Sequence, residues 1–208
     1  MIRKTKISFW MTRLFGEISE KNDEYHNTKK MRQITLENQE QLTIREAIAK
    51  DANRIITYVK QVGDETDFLT FSGADFHKEI DEEIAIIEAH QKADNQIFLV
   101  AEINDNIVGL LNVNANQRPR LRHIGEFGIS VRKAHWNKKI GSHILNYMID
   151  WAKANPLIRK INLKVLTNNE SAIHVYKKLG FEIEGLIKRD FYLNGEFTDC
   201  YWMGLEID

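Results

Sequence analysis

The sequence predicts an α+β fold in which helices interrupt a largely antiparallel sheet. Two apolar runs, QIFLVAEI and IVGLLNV, are separated by the tight turn NDN, which is typical of a β-hairpin. Asn194-Gly195 indicates a second hairpin near the end of the chain. Segments of helical periodicity separate the strands irregularly, so the predicted order is β-α-α-β-β-β-α-β-α-β-β rather than a regular parallel repeat.

The first half of the predicted domain begins with a short strand, QLTIREA, at residues 41–47. Two helices follow, because apolar residues recur at helical spacing on both sides of the loop GDETDFLTFSGADF. The stripe of the first helix is Ile55, Ile56, Val59 and Val62, and that of the second is Ile80, Ile84 and Ile87.

The second half contains a strand at about residues 123–131, HIGEFGISV, and a long helix before Pro156. One face of that helix carries Ile140, Ile144, Met148 and Trp151. The segment KINLKVL alternates apolar and polar residues and is predicted to be a strand. A shorter helix at about residues 170–179 precedes the final hairpin.

Composition narrows the class of protein. The 208 residues suit one domain of ordinary size, and 43% apolar residues suffice for a core. A net charge of -1 gives no reason to expect nucleic acid as a partner. Cys200 is the only cysteine, so no intrachain disulfide can form and a reducing, cytoplasmic setting is predicted. We find no apolar run of the roughly 18 residues that span a membrane, and we expect no secretory signal.

Residues 1–40 are predicted to be an arm and linker outside the domain at 41–208. Phe9, Trp10, Leu14 and Phe15 can form one apolar helical stripe, whereas residues 20–40 are polar. Two roles stay open for the stripe. It is either an arm packed on the domain or on a sister subunit, or a helix that binds a membrane surface or a partner.

A candidate phosphate-binding helix end follows the strand HIGEFGISV. The segment HWNKKIGSHIL leads from a loop into a helix that starts near Lys139 or Ile140. The first turn of a helix has N–H groups without intrahelical partners, and the helix dipole adds partial positive charge, so a pyrophosphate can bind there. Lys138 and Lys139 add charge, although two lysines before a helix are also typical of a solvated surface.

Two segments carry a family resemblance when they are read together. VRKAHWNKKIGSHIL and, about 30 residues later, NNESAIHVYKKLGFEIEG resemble the GNAT superfamily of acyl-CoA-dependent N-acetyltransferases. IREA and NGEFTDCYWMGL are similar to the branch that acetylates ribosomal-protein N-termini, polyamines and small amines. The resemblance covers about residues 41–207. It implies a GNAT fold, acetyl-CoA as co-substrate and a primary-amine acceptor, either a small molecule or a protein N-terminus.

The phosphate loop departs from the Trp-Gly-x-Gly-x-Gly variant of the family. Trp136 and Gly141 match that pattern, while Asn137 and Lys139 replace glycines. Asparagine tolerates left-handed conformations better than most residues. Lys139 fits if its position is already helical, because the N–H remains and only the Cβ is new. We expect cofactor binding to survive both replacements.

The resemblance also implies the cofactor-binding residues. The strand before the loop separates from its neighbour, and the backbone of Ile129, Ser130 and Val131 pairs with the pantetheine arm. Asn169 contacts the same arm, although an asparagine there is equally typical of a helix N-cap. The implied pyrophosphate loop comprises Trp136, Asn137, Lys138, Lys139, Ile140, Gly141 and Ser142.

Catalytic roles are implied for Tyr176 as general acid and for Glu126 as general base, directly or through water. The alternatives are structural. Tyr176 is then a core tyrosine, and Glu126 is a solvent-facing glutamate of the strand. Asp199 is a candidate for orienting a cationic acceptor, unless it is paired with a neighbouring base. Phe71 is a candidate wall of the acceptor site.

The predicted activity is direct acetyl transfer to an amine in a ternary complex, and a homodimer is the default expectation for the assembly. The alternative is a non-catalytic acyl-CoA-binding or regulatory protein of the same fold, which the replaced loop glycines Asn137 and Lys139 motivate. The seven histidines show no paired-ligand spacing, so no metal site is predicted.

Overall fold

The computed structural model describes residues 31–208, which form one eight-stranded sheet with helices on both faces. The strands are β1 (Arg32–Thr35), β2 (Gln41–Glu46), β3 (Ile97–Ile103), β4 (Asn106–Ala115), β5 (Ile124–Val131), β6 (Lys160–Leu166), β7 (Glu182–Leu193) and β8 (Glu196–Glu206). The helices are α1 (Ala52–Gly63), α2 (Ile80–Lys92), α3 (Ile140–Ala154) and α4 (Glu170–Lys178). The strands are ordered β1-β2-β3-β4-β5-β6-β8-β7. None of the helices within this range is long and apolar enough to cross a bilayer.

The predicted α+β class and element order are confirmed, with one strand added at the N-terminal side. β1 pairs antiparallel with β2, so residues 32–35 belong to the sheet and not to a polar linker. Leu36 is buried and Ile34 packs against the core, which holds this hairpin in place. A four-residue strand with one apolar side chain is too short to show a period, which is why the sequence pattern misses it. The predicted helical stripe at residues 9–15 lies outside the described residues.

Two apolar layers cover the two faces of the sheet. Leu99 and Val100 are neighbours on β3, so their side chains point to opposite faces. Leu99 belongs to the larger layer, which includes the buried faces of α3 and α4, and Val100 belongs to the layer formed with α1 and α2. The amphipathic stripes predicted from the sequence therefore sort the helices between the two faces.

β5 and β6 are parallel, and they separate part of the way along their length. Only three register pairs join them, Ile124↔Lys160, Gly125↔Ile161 and Glu126↔Asn162, although both strands continue further. β5 remains paired with β4 as far as Val131, and β6 remains paired with β8 as far as Leu166. A wedge-shaped opening therefore forms in the sheet beyond Glu126, as the family resemblance implies.

Candidate active site

The backbone of β5 presents free hydrogen-bonding groups to this opening. The Arg132 N–H donates to the Val108 carbonyl of β4 at 2.9 Å. Backbone groups alternate in direction along a strand, so the N–H and C=O of Ile129 and the N–H of Val131 point away from β4, whereas the Val131 carbonyl accepts from the Trp136 indole. They face the side from which β6 has diverged. A ligand with its own donors and acceptors can pair with this edge as a further strand would.

The N-terminus of α3 is left without a side-chain cap. The first backbone bond of the helix runs from the His143 N–H to the Lys139 carbonyl at 3.0 Å. The amides of Ile140, Gly141 and Ser142 lie before that bond and have no partner within the helix. By contrast, α4 is capped, since Asn169 Oδ1 accepts from the Ala172 N–H at 3.2 Å. The open end of α3 lies just after β5 and suits an anionic ligand.

The two residues that replace loop glycines both adopt left-handed backbone conformations. The φ angle is 62° at Asn137 and 61° at Lys139. The expectation that Lys139 occupies an already helical position is therefore wrong, because this residue is the N-cap of α3 and lies outside its right-handed turns. A lysine in this region costs roughly 1 kcal/mol, whereas glycine has no such penalty. Backbone geometry explains why the family places glycine here.

Both lysines of the loop are held by the turn between β1 and β2. Lys138 Nζ lies 3.0 Å from Glu40 Oε2, and Lys139 Nζ lies 2.6 Å from Glu37 Oε1. The hydrogen bond from Lys139 lowers the pKa of Glu37, so this carboxylate is ionised at neutral pH. These pairs reduce the positive charge that the lysines offer, so an anion at this helix end would depend mainly on the helix amides. The sequence pattern gave no signal for this turn because β1 itself was missed.

Trp136 and Gly141 shape the loop in different ways. The Trp136 indole donates from Nε1 to the Val131 carbonyl at 2.7 Å, which ties the loop to the end of β5. A Cβ added to Gly141 would meet only Val131 Cγ2, at 3.9 Å. No close contact within residues 31–208 therefore requires glycine at this position. The open space beside the free amides is consistent with the approach of a ligand.

Tyr176 lies on α4 within an aromatic cluster behind the opening. Its ring centroid is 5.9 Å from Phe127 of β5 and 6.0 Å from Phe181, both in edge-on geometry. Burial raises the pKa of the Tyr176 phenol, so it remains protonated across the neutral range. Its hydroxyl makes no hydrogen bond to another residue in the described part of the chain. The side chain is thus part of the core and places a protonated phenol near the splayed strands.

Glu126 lies on the opposite face of β5 and is exposed to solvent. It is the last residue of β5 that pairs with β6, opposite Asn162. The carboxylate therefore stands at the mouth of the opening, where it is accessible to water. Asn162 is absent from the residues predicted from the sequence, because it occupies an ordinary polar position in the alternating pattern of KINLKVL.

Asp199 and Phe71 are not joined to this centre by any contact among the described residues. Asp199 Oδ2 lies 2.8 Å from Lys188 Nζ, and its Oδ1 accepts from the Arg189 N–H at 2.9 Å. The hydrogen bond from Lys188 lowers the pKa of Asp199, so this acid is paired within the β7–β8 hairpin. The Phe71 ring packs 5.9 Å from that of Phe76, in the loop between α1 and α2.

The chain is similar in sequence to a known protein family and to characterised relatives. The model of the acetyltransferase (GNAT) family matches residues 64–181. Over 105 residues the chain is 41% identical to the L-amino acid N-acetyltransferase AaaT of Escherichia coli, a match to 50% of this chain and 65% of that protein. The match thus spans just under two thirds of that relative.

Two solved structures share the fold. A GNAT-family acetyltransferase from Streptococcus pneumoniae is 40% identical, with a TM-score of 0.78 over 80% of this chain and 99% of that one. A structure from Salmonella typhimurium with its cofactor acetyl-CoA is 23% identical, with a TM-score of 0.71 over 80% of this chain and 94% of that one.

Proposed function

The chain belongs to the acetyltransferase (GNAT) family, and we propose that it moves an acetyl group from acetyl-CoA directly to a primary amine. One observation carries the proposal. The uncapped end of α3 and the free edge of β5 meet at an opening that has Tyr176 behind it. This combination offers a diphosphate site, an extended-arm site and a proton donor in one place. The L-amino acid specificity of the Escherichia coli relative makes amino acids the first acceptors to test.

The described residues fit the acyl-CoA co-substrate. The amides of Ile140, Gly141 and Ser142 would hold its diphosphate, and the backbone of Ile129 and Val131 would pair with its pantetheine arm. When bound, acetyl-CoA supplies a thioester carbonyl that an amine can attack. Every group that holds it in this arrangement is a backbone group, so the left-handed Asn137 and Lys139 leave the donors in place.

The chain's own residues meet the needs of amine acylation. An α-amino group has a pKa of about 8 and a lysine-like amine about 10.4, so the second class needs more help to lose a proton. Glu126, exposed at the mouth of the opening, would accept that proton directly or through water. A backbone N–H of β5 would donate to the oxygen that gains negative charge. Tyr176 would protonate the departing thiolate, whose pKa is about 8.5.

The competing function is acyl-CoA binding without catalysis. The strained Lys139 and the ion pairs that occupy both loop lysines favour it, since they depart from the family's glycine-rich loop. Tyr176 and the exposed Glu126 favour catalysis, because a pure binding protein needs neither group. A cytoplasmic location and a homodimer remain proposals, supported respectively by the single cysteine and by the frequency of twofold symmetry.

An acceptor panel separates the two functions. The purified chain is mixed with acetyl-CoA and, in turn, each L-amino acid, spermidine and a peptide with a free α-amino group. Thiol release above the acceptor-free rate, with the acetylated product seen by mass spectrometry, supports the transferase. Calorimetric binding of acetyl-CoA without amine-stimulated release supports the binding protein. Absence of binding removes both functions.

A further inference from the structure

Asn162 of β6 is a buried residue whose side-chain oxygen has no hydrogen-bond partner among residues 31–208. Its side chain is only 7% exposed, and its Oδ1 accepts no hydrogen bond from any other residue in 31–208. Most buried polar atoms in folded proteins are paired, because an unpaired one forfeits the hydrogen bonds it makes with water in the unfolded chain. The carbonyl oxygen of Asn162 is therefore a buried acceptor that the described part of the chain leaves unpaired.

The surroundings of Asn162 are polar and lie on one face of the sheet. Its register partners are Glu126 on β5 and Gly204 on β8. A Cβ added to Gly204 would lie 2.4 Å from Glu184 Oε1, so the Glu184 carboxylate covers that glycine beside Asn162. Lys160 Nζ lies 2.7 Å from the same Glu184 oxygen and neutralises it. Among the described residues, Glu126 is thus the carboxylate of this group that forms no ion pair.

This polar group faces away from the aromatic cluster. Gly125 and Ile161, which directly precede Glu126 and Asn162 in the sequence, point into the core layer of α3. A Cβ added to Gly125 would lie 3.0 Å from Ile161 Cδ1. Side chains alternate along a strand, so Glu126 and Asn162 point to the other face. Both stand at the last pair before the strands separate. An acceptor approaching from this face reaches the opening from the side opposite to Tyr176.

We propose that Asn162 is an acceptor-binding residue, whose Oδ1 accepts one N–H of the primary amine while Glu126 accepts another. This inference rests on the proposed acetyl transfer. A neutral primary amine has two N–H donors, so both oxygens can be satisfied while its lone pair stays free to attack. A secondary amine or an alcohol has one donor and leaves one oxygen unpaired. The pair Asn162–Glu126 therefore selects primary amines.

Bonds and protons balance in the proposed transfer. The new C–N bond forms from the amine lone pair, and the C–S bond of the thioester breaks. The nitrogen loses one proton, to Glu126 or to water, and the sulfur gains one, from Tyr176. Asn162 exchanges no proton, because an amide oxygen at neutral pH only accepts hydrogen bonds. Its contribution is to hold and orient the amine.

Asn162→Leu tests the proposal, because leucine has a similar volume and no polar atom. We expect the KM for the best primary amine of the panel to rise at least tenfold, while the Kd for acetyl-CoA by calorimetry stays within twofold. The preference for that amine over its N-methyl analogue should fall by a similar factor. The Tm should not fall, since an unpaired buried oxygen is removed.

Two further variants separate binding from structure. Asn162→Asp keeps an acceptor oxygen and should retain most of the amine affinity, and Asn162→Ala gives a smaller replacement if leucine disturbs the sheet. Asn95→Leu is the matched control. Asn95 is also buried, but it donates to the Asn116 and Arg122 carbonyls and accepts from Gln117, so its loss should lower the Tm without changing the KM.

Three results overturn the inference. An unchanged amine KM in Asn162→Leu, with the wild type active, removes the binding role but leaves the transferase. A fall in Tm with no change in KM makes Asn162 a structural residue like Asn95. If the wild type shows no amine-dependent thiol release, the proposed transfer fails and the role of Asn162 fails with it.

Discussion

The two faces of β5 differ in how their side chains are satisfied. Toward α3 and α4, Phe127 packs edge-on against Tyr176 and Phe181, and the core closes around them. On the opposite face, Glu126 is exposed and its neighbour Asn162 is buried with an open carbonyl oxygen. Apolar packing on the face toward α3 and α4 stabilises the fold. The face with the unpaired oxygen of Asn162 is the one that we propose an acceptor completes.

The face of β5 that packs against α3 and α4 can be tested by removing the hydroxyl group of Tyr176. Tyr176→Phe keeps the aromatic contacts, and we expect kcat to fall about 100-fold, because a general acid contributes on that scale. The Kd for acetyl-CoA and the Tm should change little, since the ring remains in place. Steady-state kinetics with calorimetry and thermal denaturation measure all three. An unchanged kcat would make Tyr176 a core residue only.

Substitution of Asn95, whose side chain is hydrogen-bonded, should change stability differently from substitution of Asn162, whose side-chain oxygen is unpaired. Asn95→Leu breaks three hydrogen bonds around a fully buried side chain, and we expect a loss of about 2 kcal/mol in the free energy of unfolding. Urea denaturation of this variant and of Asn162→Leu compares the two sites directly. Equal losses at both would erase the distinction between them.

The open face also predicts a pH dependence. With an α-amino acceptor, Glu126→Gln should lower kcat/KM about tenfold at pH 7, where most of the amine is protonated. The gap should close above pH 8, where the amine is neutral without help. Because burial raises the pKa of Tyr176, the acid should stay protonated and impose no fall in rate below about pH 10. Parallel pH profiles for the two proteins would exclude Glu126 as the base.

The smallest effect concerns the loop beyond the end of β5. Lys139→Gly removes a left-handed lysine, and we expect the free energy of unfolding to rise by about 0.5 to 1 kcal/mol. Lys138→Gly is the control, since Lys138 is not among the left-handed residues of the loop. Chemical denaturation measures both variants. An equal stability gain in both variants would show that charge, and not backbone strain, limits this loop.

Much of the fold was predictable because it depends on periodicity and turn residues. The helices α1 to α4 and the Asn194-Gly195 hairpin depend on local patterns and lie where they were predicted, although Ile80 of the predicted α2 stripe is exposed. β1 was not predictable, since its four residues gain their order from pairing with β2. Leu36 supplies the buried anchor of that hairpin but stands alone among polar neighbours in the sequence.

The candidate site was likewise predictable only in part. Its cofactor side was predictable, because backbone amides at a helix start and a family loop are visible in the order of residues. The positions of Asn137 and Lys139 were predicted but not their shared left-handed geometry, which no periodicity encodes. Asn162 was missed, because only the pairing of β5 with β6 brings it beside Glu126.

Cys200 on β8 has a practical consequence for measuring this chemistry. It is the only cysteine of the chain and is buried. Burial, followed by a hydrogen bond with Asp190, raises its pKa to about 11. At pH 8 about one thiol in a thousand is then ionised, and the thiolate is the form that attacks disulfide dyes. The native chain should stay colourless in such an assay, so a slow background without acceptor and without acetyl-CoA would report its unfolding.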